Sequence, residues 1–300
     1  MKRNALSILV LSILTTVCLF YNGANIRLLS TCLPIVYDAC NNTITNTMTI
    51  DIKGCVPAVV CNDVSIPIFV LTRDRITSLQ ETLESYKNFS SSYEIIILDH
   101  FSTYPPMLTY LSELNSTIGV QVHALKKPNW FDALQESADI IEEHLVANSD
   151  VQFYVFTDSD ISMFRSAPDT LLYFAGVLNS CKQINVIGPQ LQISDIPDSY
   201  SGKAKVMHGH GVRQHFWHNV PNMATWNRVG YNLAIHPIDT TFAMRRRGYR
   251  FGRLQMPAIR AYAPYSAVHI DWYYNSSSLP ADKIWYLNHS QQGVNNWRTL

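Results

Sequence analysis

The sequence predicts an α/β fold in which a mostly parallel β-sheet is covered by helices on both faces. The main observation is that short apolar runs, typical of buried strands, alternate along the chain with stretches of helical spacing. A second observation is that polar residues directly follow these strands, where open α/β sheets bind their ligands. A third is the apolar fraction of 47%, which is enough for a sizeable core. A length of 300 residues suits one such domain with an appendage.

The N-terminus has the features of a membrane anchor. Lys2 and Arg3 precede the uncharged run Ala5–Tyr21, which is just long enough to span a bilayer with the basic residues on the cytoplasmic side. A cleaved signal peptide is the alternative, but the run is long for one and no Ala-x-Ala site follows it cleanly. We therefore predict a cytoplasmic tip and signal-anchor transmembrane helix over residues 1–21, with the rest of the chain lumenal.

Residues 22–63 are predicted to form a lumenal stem rich in Thr and Asn. Four cysteines lie within it, at Cys32, Cys40, Cys55 and Cys61, and Cys181 stands apart from them. Pairing of neighbours would give Cys32–Cys40 and Cys55–Cys61, although four cysteines allow three connectivities, and the spacings fit no usual zinc finger. N-glycosylation sequons, which add support for a secretory route, begin at Asn41, Asn88, Asn115, Asn275 and Asn288.

Residues 64–300 are predicted to form the main domain, in which strands and helices alternate. Predicted strands are Ile66–Leu71, Glu94–Leu98, Val120–Ala124, the start of Val151–Phe164, and Ile184–Ile187. Predicted helices cover Ile76–Tyr86, a short segment opened by Pro105-Pro106, about Phe131–Ala147, and about Thr170–Leu178. This order favours parallel strands joined by helical crossovers. Past residue 190 the pattern loosens into short strands, aromatic residues and turns.

The run Val151–Phe164 carries the most informative polar residues. Its apolar and aromatic start suits a buried strand, and Asp158 and Asp160 follow where that strand ends. The turn after a strand can bring both carboxylates near one ion, and a hard divalent cation binds such oxygens while sharing its other positions with a diphosphate. Because Asp-x-Asp alone occurs often by chance, the prediction depends on the preceding strand and on the motifs below.

The motifs, taken in order, resemble those of the GT-A fold glycosyltransferases, family-2-like and N-acetylglucosaminyltransferase-like enzymes among them. The resemblance covers about residues 65–290. It consists of a first strand ending in Asp74-Arg75, Asp99 followed by Ser102-Thr103-Tyr104-Pro105-Pro106 (similar to D-x-x-S-T-Y-P-P), the Asp158–Asp160 element (DxD), the run Asp239–Ala243, and His269-Ile270-Asp271-Trp272-Tyr273, which is similar to H-x-P-W-Y with Asp271 where proline is usual.

The resemblance implies a metal-dependent site for a nucleoside-diphosphate sugar, often UDP-linked. It implies that Asp99 binds the nucleobase, with a turn cap as the alternative, and that Arg75 contacts base or phosphate, with a surface cation as the alternative. Asp158 would hold the ribose or a metal-bound water. Asp160 would ligate Mn²⁺ or Mg²⁺, and His269 would complete the metal shell.

The resemblance also implies that Asp239 is the base that deprotonates the acceptor hydroxyl in an inverting reaction. The alternatives for Asp239 are a helix N-cap or a supporting position around the metal, and retaining enzymes share the same fold. The basic stretch from Arg245 to Arg253 is interpreted as a solvated turn, with diphosphate or an acidic acceptor as its alternative ligand. The histidines between His208 and His218 fit no zinc spacing and are interpreted as acceptor-loop or surface residues.

The combined prediction is a single-pass type II glycosyltransferase of the Golgi or ER membrane, acting on a glycan or glycoprotein acceptor. The formal net charge of +0 implies no nucleic-acid partner. One alternative is a catalytically inactive relative that binds glycans or acts as a scaffold. Another is a nucleotidyltransferase of similar fold, although the segment after the first strand lacks the Gly-rich loop and lysine expected of one.

Overall fold

The computed structural model describes residues 65–200, 203–204, 206, 233–235, 237–252 and 257–290, together with the backbone of 19–22 and 25–28. Its strands are β1 (Leu19–Asn22), β2 (Asn25–Leu28), β3 (Ile66–Thr72), β4 (Tyr93–Asp99), β5 (Val120–Ala124), β6 (Phe153–Asp158), β7 (Ile161–Ser162), β8 (Val186–Pro189), β9 (Leu233–Ile235), β10 (Ala243–Arg246), β11 (Ala258–Ala261) and β12 (Val268–His269). Its helices are α1 (Ile76–Tyr86), α2 (Pro105–Asn115), α3 (Trp130–Ala147), α4 (Thr170–Ser180) and α5 (Ala281–His289), with a 3-10 turn at Ile270–Tyr273.

An eight-stranded sheet in the order β5-β4-β3-β6-β10-β8-β11-β9 forms the centre of the domain. Strands β5, β4, β3 and β6 are parallel neighbours. Strand β10 is antiparallel to both β6 and β8, whereas β11 is parallel to β8 and antiparallel to β9. The predicted mostly parallel sheet is therefore confirmed. The reversed strand β10 was not predicted.

Two helical layers cover the sheet, as its alternating apolar residues require. Ile68 and Val70 of β3 belong to the large cluster that includes α1, α2 and α4, while Phe69 and Leu71 belong to a second cluster with α3. Successive side chains of a strand point to opposite faces, so both faces of β3 need an apolar cover. The carboxyl ends of the parallel strands meet at one edge of the sheet.

Arg245, Arg246 and Arg247 are structural, which corrects the interpretation of this part of the basic stretch as a solvated turn. Arg250 is exposed, and Arg253 lies outside the described residues. Arg245 is fully buried and donates to the Ala243 carbonyl at 2.8 Å. Arg246 donates to carbonyl groups at the end of α4 and beyond it, and Arg247 does the same at the end of α3. The last carbonyl groups of a helix have no partner within the helix, and cations are favourable there.

The predicted anchor over residues 1–21 lies outside the described residues except for Leu19–Tyr21, which belong to β1 and pair with β2. No helix within the part of the chain that the structure describes is long and apolar enough to span a membrane. The predicted stem, residues 22–63, also lies outside the described residues apart from Asn22 and 25–28.

Cys181 is buried just after α4 and is disulfide-bonded. This corrects the sequence analysis, which set Cys181 apart from any pairing. The other cysteines lie outside the described residues. Spacing along the chain indicates only local pairs, so it could not have revealed a bond made by a distant cysteine.

Candidate active site

Several predicted site residues meet at the carboxyl edge of the central strands. The register places Thr72 of β3 beside Asp99 of β4, and Leu71 of β3 beside Asp158 of β6. Arg75 follows β3 directly and is buried. This is the edge at which ligands of open α/β sheets bind, so the placement agrees with the sequence prediction.

The small sheet formed by β7 and β12 brings Asp160 and His269 together. His269 pairs with Ile161, and the backbone N–H of Ile270 donates to the Asp160 carbonyl at 2.8 Å. His269 Nε2 thereby lies 3.9 Å from Asp160 Oδ2. The imidazole stacks on the Trp272 indole with a centroid distance of 4.6 Å and an interplanar angle of 2°, which fixes the plane of the ring.

Asp160 Oδ1 is a buried carboxylate oxygen without a hydrogen-bond partner among the described residues. A buried carboxylate oxygen without a hydrogen-bond partner destabilises the folded protein unless another group binds it. An oxygen and an imidazole nitrogen at this spacing suit Mn²⁺ or Mg²⁺ with open positions. No group of three or more His, Cys, Asp or Glu side chains in the described part of the chain forms a closed metal site.

Asp158 is held by the segment that precedes β10. Thr240 Oγ1 donates to Asp158 Oδ2, and the backbone N–H of Asp158 donates to the Thr240 carbonyl at 2.8 Å. Burial, and then the charge of Asp160, raise the pKa of Asp158 well above its usual range, while the Thr240 hydrogen bond opposes the rise. A cation near both carboxylates would relieve this repulsion.

Arg75 lies between two carboxylates. Its guanidinium makes a bidentate pair with Asp271, one bond at 3.2 Å and a second, shorter one, and its Nη1 lies 3.6 Å from Asp160 Oδ2. Burial opposes the charge of Arg75, but Asp271 and Asp160 raise its pKa above the usual value. Arg75 is therefore a permanent buried cation beside the Asp160 carboxylate, and the surface-cation alternative is excluded.

Helix α5 adds two residues that sequence reasoning missed. Lys283 Nζ donates to Asp271 Oδ2 at 2.7 Å, so Asp271 is paired with two cations. Burial would raise the pKa of Asp271, but the charges of Arg75 and Lys283 lower it to about 2. Asp282 accepts from the backbone N–H and hydroxyl of Thr77 at 2.8 and 2.9 Å, which joins α5 to the first turn of α1.

Asp99 and Asp74 interlock the loops after β3 and β4. Asp99 accepts from the backbone N–H and hydroxyl of Ser102, and the same hydroxyl oxygen accepts from the backbone N–H of Asp74. The buried Asp74 carboxylate in turn accepts from the backbone N–H groups of Thr103 and Tyr104. The structure thus gives Asp99 a turn-cap role, and its contact with a nucleobase stays a prediction. Burial raises the pKa of Asp99, and the hydrogen bonds from Ser102 oppose the rise.

Backbone strain is concentrated in the loops around the site. Asp74, Phe101 and Phe242 are the non-glycine residues with positive φ in the described ranges, at 54°, 58° and 48°. Each lies in a loop that follows β3 or β4 or precedes β10. Such conformations are uncommon outside glycine and tend to occur at functional sites.

Asp239 lies at the entrance to β10, beside the Asp158 loop. Thr241 Oγ1 donates to Asp239 Oδ1 at 2.7 Å, and Arg260 Nη2 lies 3.5 Å from the same oxygen. Its side chain is 34% exposed, whereas that of Asp160 is 12% exposed and that of Asp271 only 1%. Asp239 is therefore the most accessible of these three carboxylates.

Similarity of this chain to known proteins is found among solved structures. No protein-family model matches the sequence, and no curated protein matches it. Among solved structures, the chain is similar to the mannosyltransferase PcManGT from Pyrobaculum calidifontis in complex with GDP-Man and Mn²⁺, with 13% identity, a TM-score of 0.44, and coverage of 74% of this chain and 59% of that one. It is also similar to S. aureus TarS (17% identity, TM-score 0.34, 46% and 24% coverage) and to GalNAc-T7 with UDP, GalNAc and Mn²⁺ (15% identity, TM-score 0.34, 43% and 23% coverage).

These neighbours are GT-A-type glycosyltransferases, the type that the sequence motifs resemble. The chain spans less than two thirds of the length of each of them. All three TM-scores lie below 0.5, so the function proposed below rests on the geometry of the site.

Proposed function

We propose that this protein is a metal-dependent glycosyltransferase that moves a sugar from a nucleoside-diphosphate sugar to a glycan or glycoprotein acceptor. The observation that carries the proposal is the convergence of Asp160, His269 and the buried cation Arg75 at the carboxyl edge of the sheet. Two side chains that can bind a metal, beside a fixed positive charge, suit a ligand that carries negatively charged oxygen atoms. A diphosphate is such a ligand.

Asp160 and His269 are the residues we expect to hold Mn²⁺ or Mg²⁺. The partnerless buried oxygen Asp160 Oδ1 supports this assignment, because a cation would satisfy it. When bound, the cation would neutralise charge that develops on the leaving diphosphate. Two protein ligands leave most of an octahedral shell to phosphate oxygens and water.

Donor binding would use the residues at the ends of β3, β4 and β6. Arg75 supplies positive charge for the diphosphate, and the interlocked Asp99 loop borders the position where a nucleobase, uracil by resemblance, would lie. Asp158 would bind the ribose or a metal-bound water. Its contact with Thr240 keeps the carboxylate in place.

Asp239 would act as the general base of a single inverting displacement. The acceptor hydroxyl oxygen forms a bond to the anomeric carbon, and the bond from that carbon to the diphosphate oxygen breaks, with its electron pair leaving on the diphosphate. The Asp239 carboxylate accepts the hydroxyl proton. Its exposure supports this role, since the acceptor must reach it, and Thr241 and Arg260 fix its orientation.

We further propose that the enzyme is a type II protein of the Golgi or ER membrane with a lumenal catalytic domain. The disulfide at Cys181 supports an oxidising compartment, because such bonds are rare where thiols are kept reduced. The basic N-terminal tip and uncharged run of the sequence support the orientation.

The test is nucleotide release by the purified full chain from a panel of UDP- and GDP-sugars, with Mn²⁺ and with a chelator. We expect slow hydrolysis of one donor that requires Mn²⁺ and is abolished in Asp160→Ala. Donor binding without hydrolysis would agree with the proposal if addition of an acceptor then starts turnover. A folded protein that neither binds nor cleaves any donor would overturn the proposal and favour a glycan-binding or scaffold role.

A further inference from the structure

Asp271 is a buried carboxylate that none of the steps above uses. Its side chain is 1% exposed, and both of its oxygens are occupied by cations: Oδ1 by Arg75, and Oδ2 by Arg75 and Lys283. It lies in the 3-10 turn that follows His269, so the same short segment carries a predicted metal ligand and this ion pair. The inference drawn from it rests on the proposed metal-dependent function.

The position of Arg75 shows why this pair matters for the metal site. Arg75 makes bidentate hydrogen bonds to Asp271 but stays 3.6 Å from Asp160 Oδ2, beyond the range of a good hydrogen bond. A bidentate pair fixes the plane of a guanidinium as well as its distance. Without the Asp271 charge, the nearest remaining carboxylate for Arg75 would be Asp160, which a divalent cation also needs.

Lys283 occupies a position that is unfavourable for a cation. It lies in the first turn of α5, where the helix dipole is positive, and its Nζ is buried. The negative charge of Asp271, 2.7 Å from Lys283 Nζ, compensates for both the helix dipole and the burial. Lys283 therefore depends on Asp271, and through this bond α5 fixes the Asp271 carboxylate against the loop that carries Arg75.

We propose that Asp271 is a positioning residue of the metal site: it holds the Arg75 guanidinium away from the Asp160 carboxylate and so keeps that carboxylate available to a divalent cation. Asp271 does not touch the cation itself. It acts through Arg75, and Lys283 anchors it from α5.

A second explanation would make Asp271 act only through its charge, since any buried anion nearby attracts a cation. Two charge-conserving double variants separate the explanations. Asp271→Asn/Lys283→Met and Asp271→Asn/Arg75→Met each remove one negative and one positive charge from the same cluster. The first variant leaves Arg75 free to pair with Asp160. The second removes Arg75, the cation that lies 3.6 Å from Asp160 Oδ2.

The experiment measures the affinity of the full chain for Mn²⁺ alone, using the electron paramagnetic resonance signal of free Mn²⁺, so that the proposed contact of Arg75 with a diphosphate does not enter the comparison. We expect Asp271→Asn and Asp271→Asn/Lys283→Met to bind Mn²⁺ at least about tenfold more weakly than the wild type, because loss of residues that support metal ligands has effects of this size. Asp271→Asn/Arg75→Met should bind Mn²⁺ more tightly than Asp271→Asn/Lys283→Met, because the cation that lies beside Asp160 is absent from it.

Asp139→Asn is the matched control, because it removes the carboxylate of an exposed aspartate–arginine pair, the one with Arg250. Its Mn²⁺ affinity should equal that of the wild type. Circular dichroism and urea unfolding confirm that each protein is folded. If the single variant Asp271→Asn does not fold, the comparison between the two double variants still decides the question.

Equal Mn²⁺ affinity in the two double variants would overturn the positioning role and leave only a charge effect. Wild-type affinity in Asp271→Asn would also overturn it, while the proposed metal site would stand. If the wild type binds no Mn²⁺, either alone or with UDP or GDP, the metal-dependent function fails, and this inference fails with it.

Discussion

Replacement of Asp74 tests whether one buried carboxylate holds the loops that border the proposed donor site. Asp74 Oδ1 accepts the backbone N–H groups of Thr103 and Tyr104, and Asp74 is itself fully buried. In Asp74→Ala both N–H groups lose their acceptor, at a cost of about 1–3 kcal/mol each, or about 2–6 kcal/mol in total. In Asp74→Asn one carbonyl oxygen can still accept, and Asn tolerates the positive φ at this position, so we expect a loss of about 1 kcal/mol.

The free energy of unfolding is measured by urea titration of the full chain, followed by tryptophan fluorescence. Hydrogen exchange of the Thr103 and Tyr104 amides gives the local effect, and a loss of 2 kcal/mol corresponds to exchange about 30-fold faster. Asp132→Ala is the control, because Asp132 is an exposed aspartate in the first turn of α3, and a change within about 0.5 kcal/mol is expected. The reasoning is refuted if Asp74→Ala loses less than about 1 kcal/mol and both amides stay protected.

Three further predictions follow from the site. Asp239→Asn should lower turnover by about 10²–10⁴-fold while donor affinity is retained, since the variant loses only the proton acceptor, and steady-state kinetics with a donor-binding assay would check both. His100, just after β4, should make the fold less stable at acid pH. Burial lowers its pKa in the folded protein below 6.5, the value of a free histidine. The neutral side chain therefore contributes its full stability above pH 6.5, and this contribution is lost as the pH falls through the folded-state pKa. Urea midpoints at pH 7.5 and 5.5 should therefore differ more in the wild type than in His100→Gln, and an equal difference would contradict the assignment. Gly188→Ala should lose about 1–3 kcal/mol and reduce turnover, because an added Cβ would lie 3.2 Å from the Phe242 carbonyl oxygen, and unchanged urea midpoint and turnover would contradict this.

The strands and helices of the first half could be predicted because their apolar patterns have the correct periods. In β3 every residue is buried, so the strand is a continuous apolar run, and its two faces pack against different helices. In α3 the apolar positions recur at helical spacing and form its buried face. These patterns depend on neighbours in sequence, which is why one sequence is sufficient to recognise them.

The candidate site could be predicted only where a motif marks it. The order of the motifs indicated that Asp160 and His269 belong to one site, although the pairing of β7 with β12, which brings them together, leaves no periodic signal in strands of two residues. Lys283 had no signal at all, since a lysine in the first turn of a helix is ordinarily a solvated surface residue. Its burial follows from Asp271, which in turn is paired with Arg75, 196 residues earlier in the chain.

The burial of the arginines directly after residue 244 could not be predicted from the sequence either. Arginine is rarely buried, so a basic run is expected in solvent. Arg246 and Arg247 instead reach carbonyl groups at the ends of α4 and α3, at sequence separations of 68 and 102 residues. Only the position of β10 between β6 and β8 makes those helix ends accessible to them.

The central claim, that Asp160 and His269 hold a divalent cation, is tested most directly by anomalous diffraction from crystals of the protein grown with Mn²⁺ and a nucleoside diphosphate. The account predicts one manganese peak within about 2.0–2.6 Å of Asp160 Oδ1 and His269 Nε2, with phosphate oxygens among its other ligands. A nucleotide bound at the edge of the sheet without manganese at Asp160, or a manganese ion bound elsewhere, would contradict it.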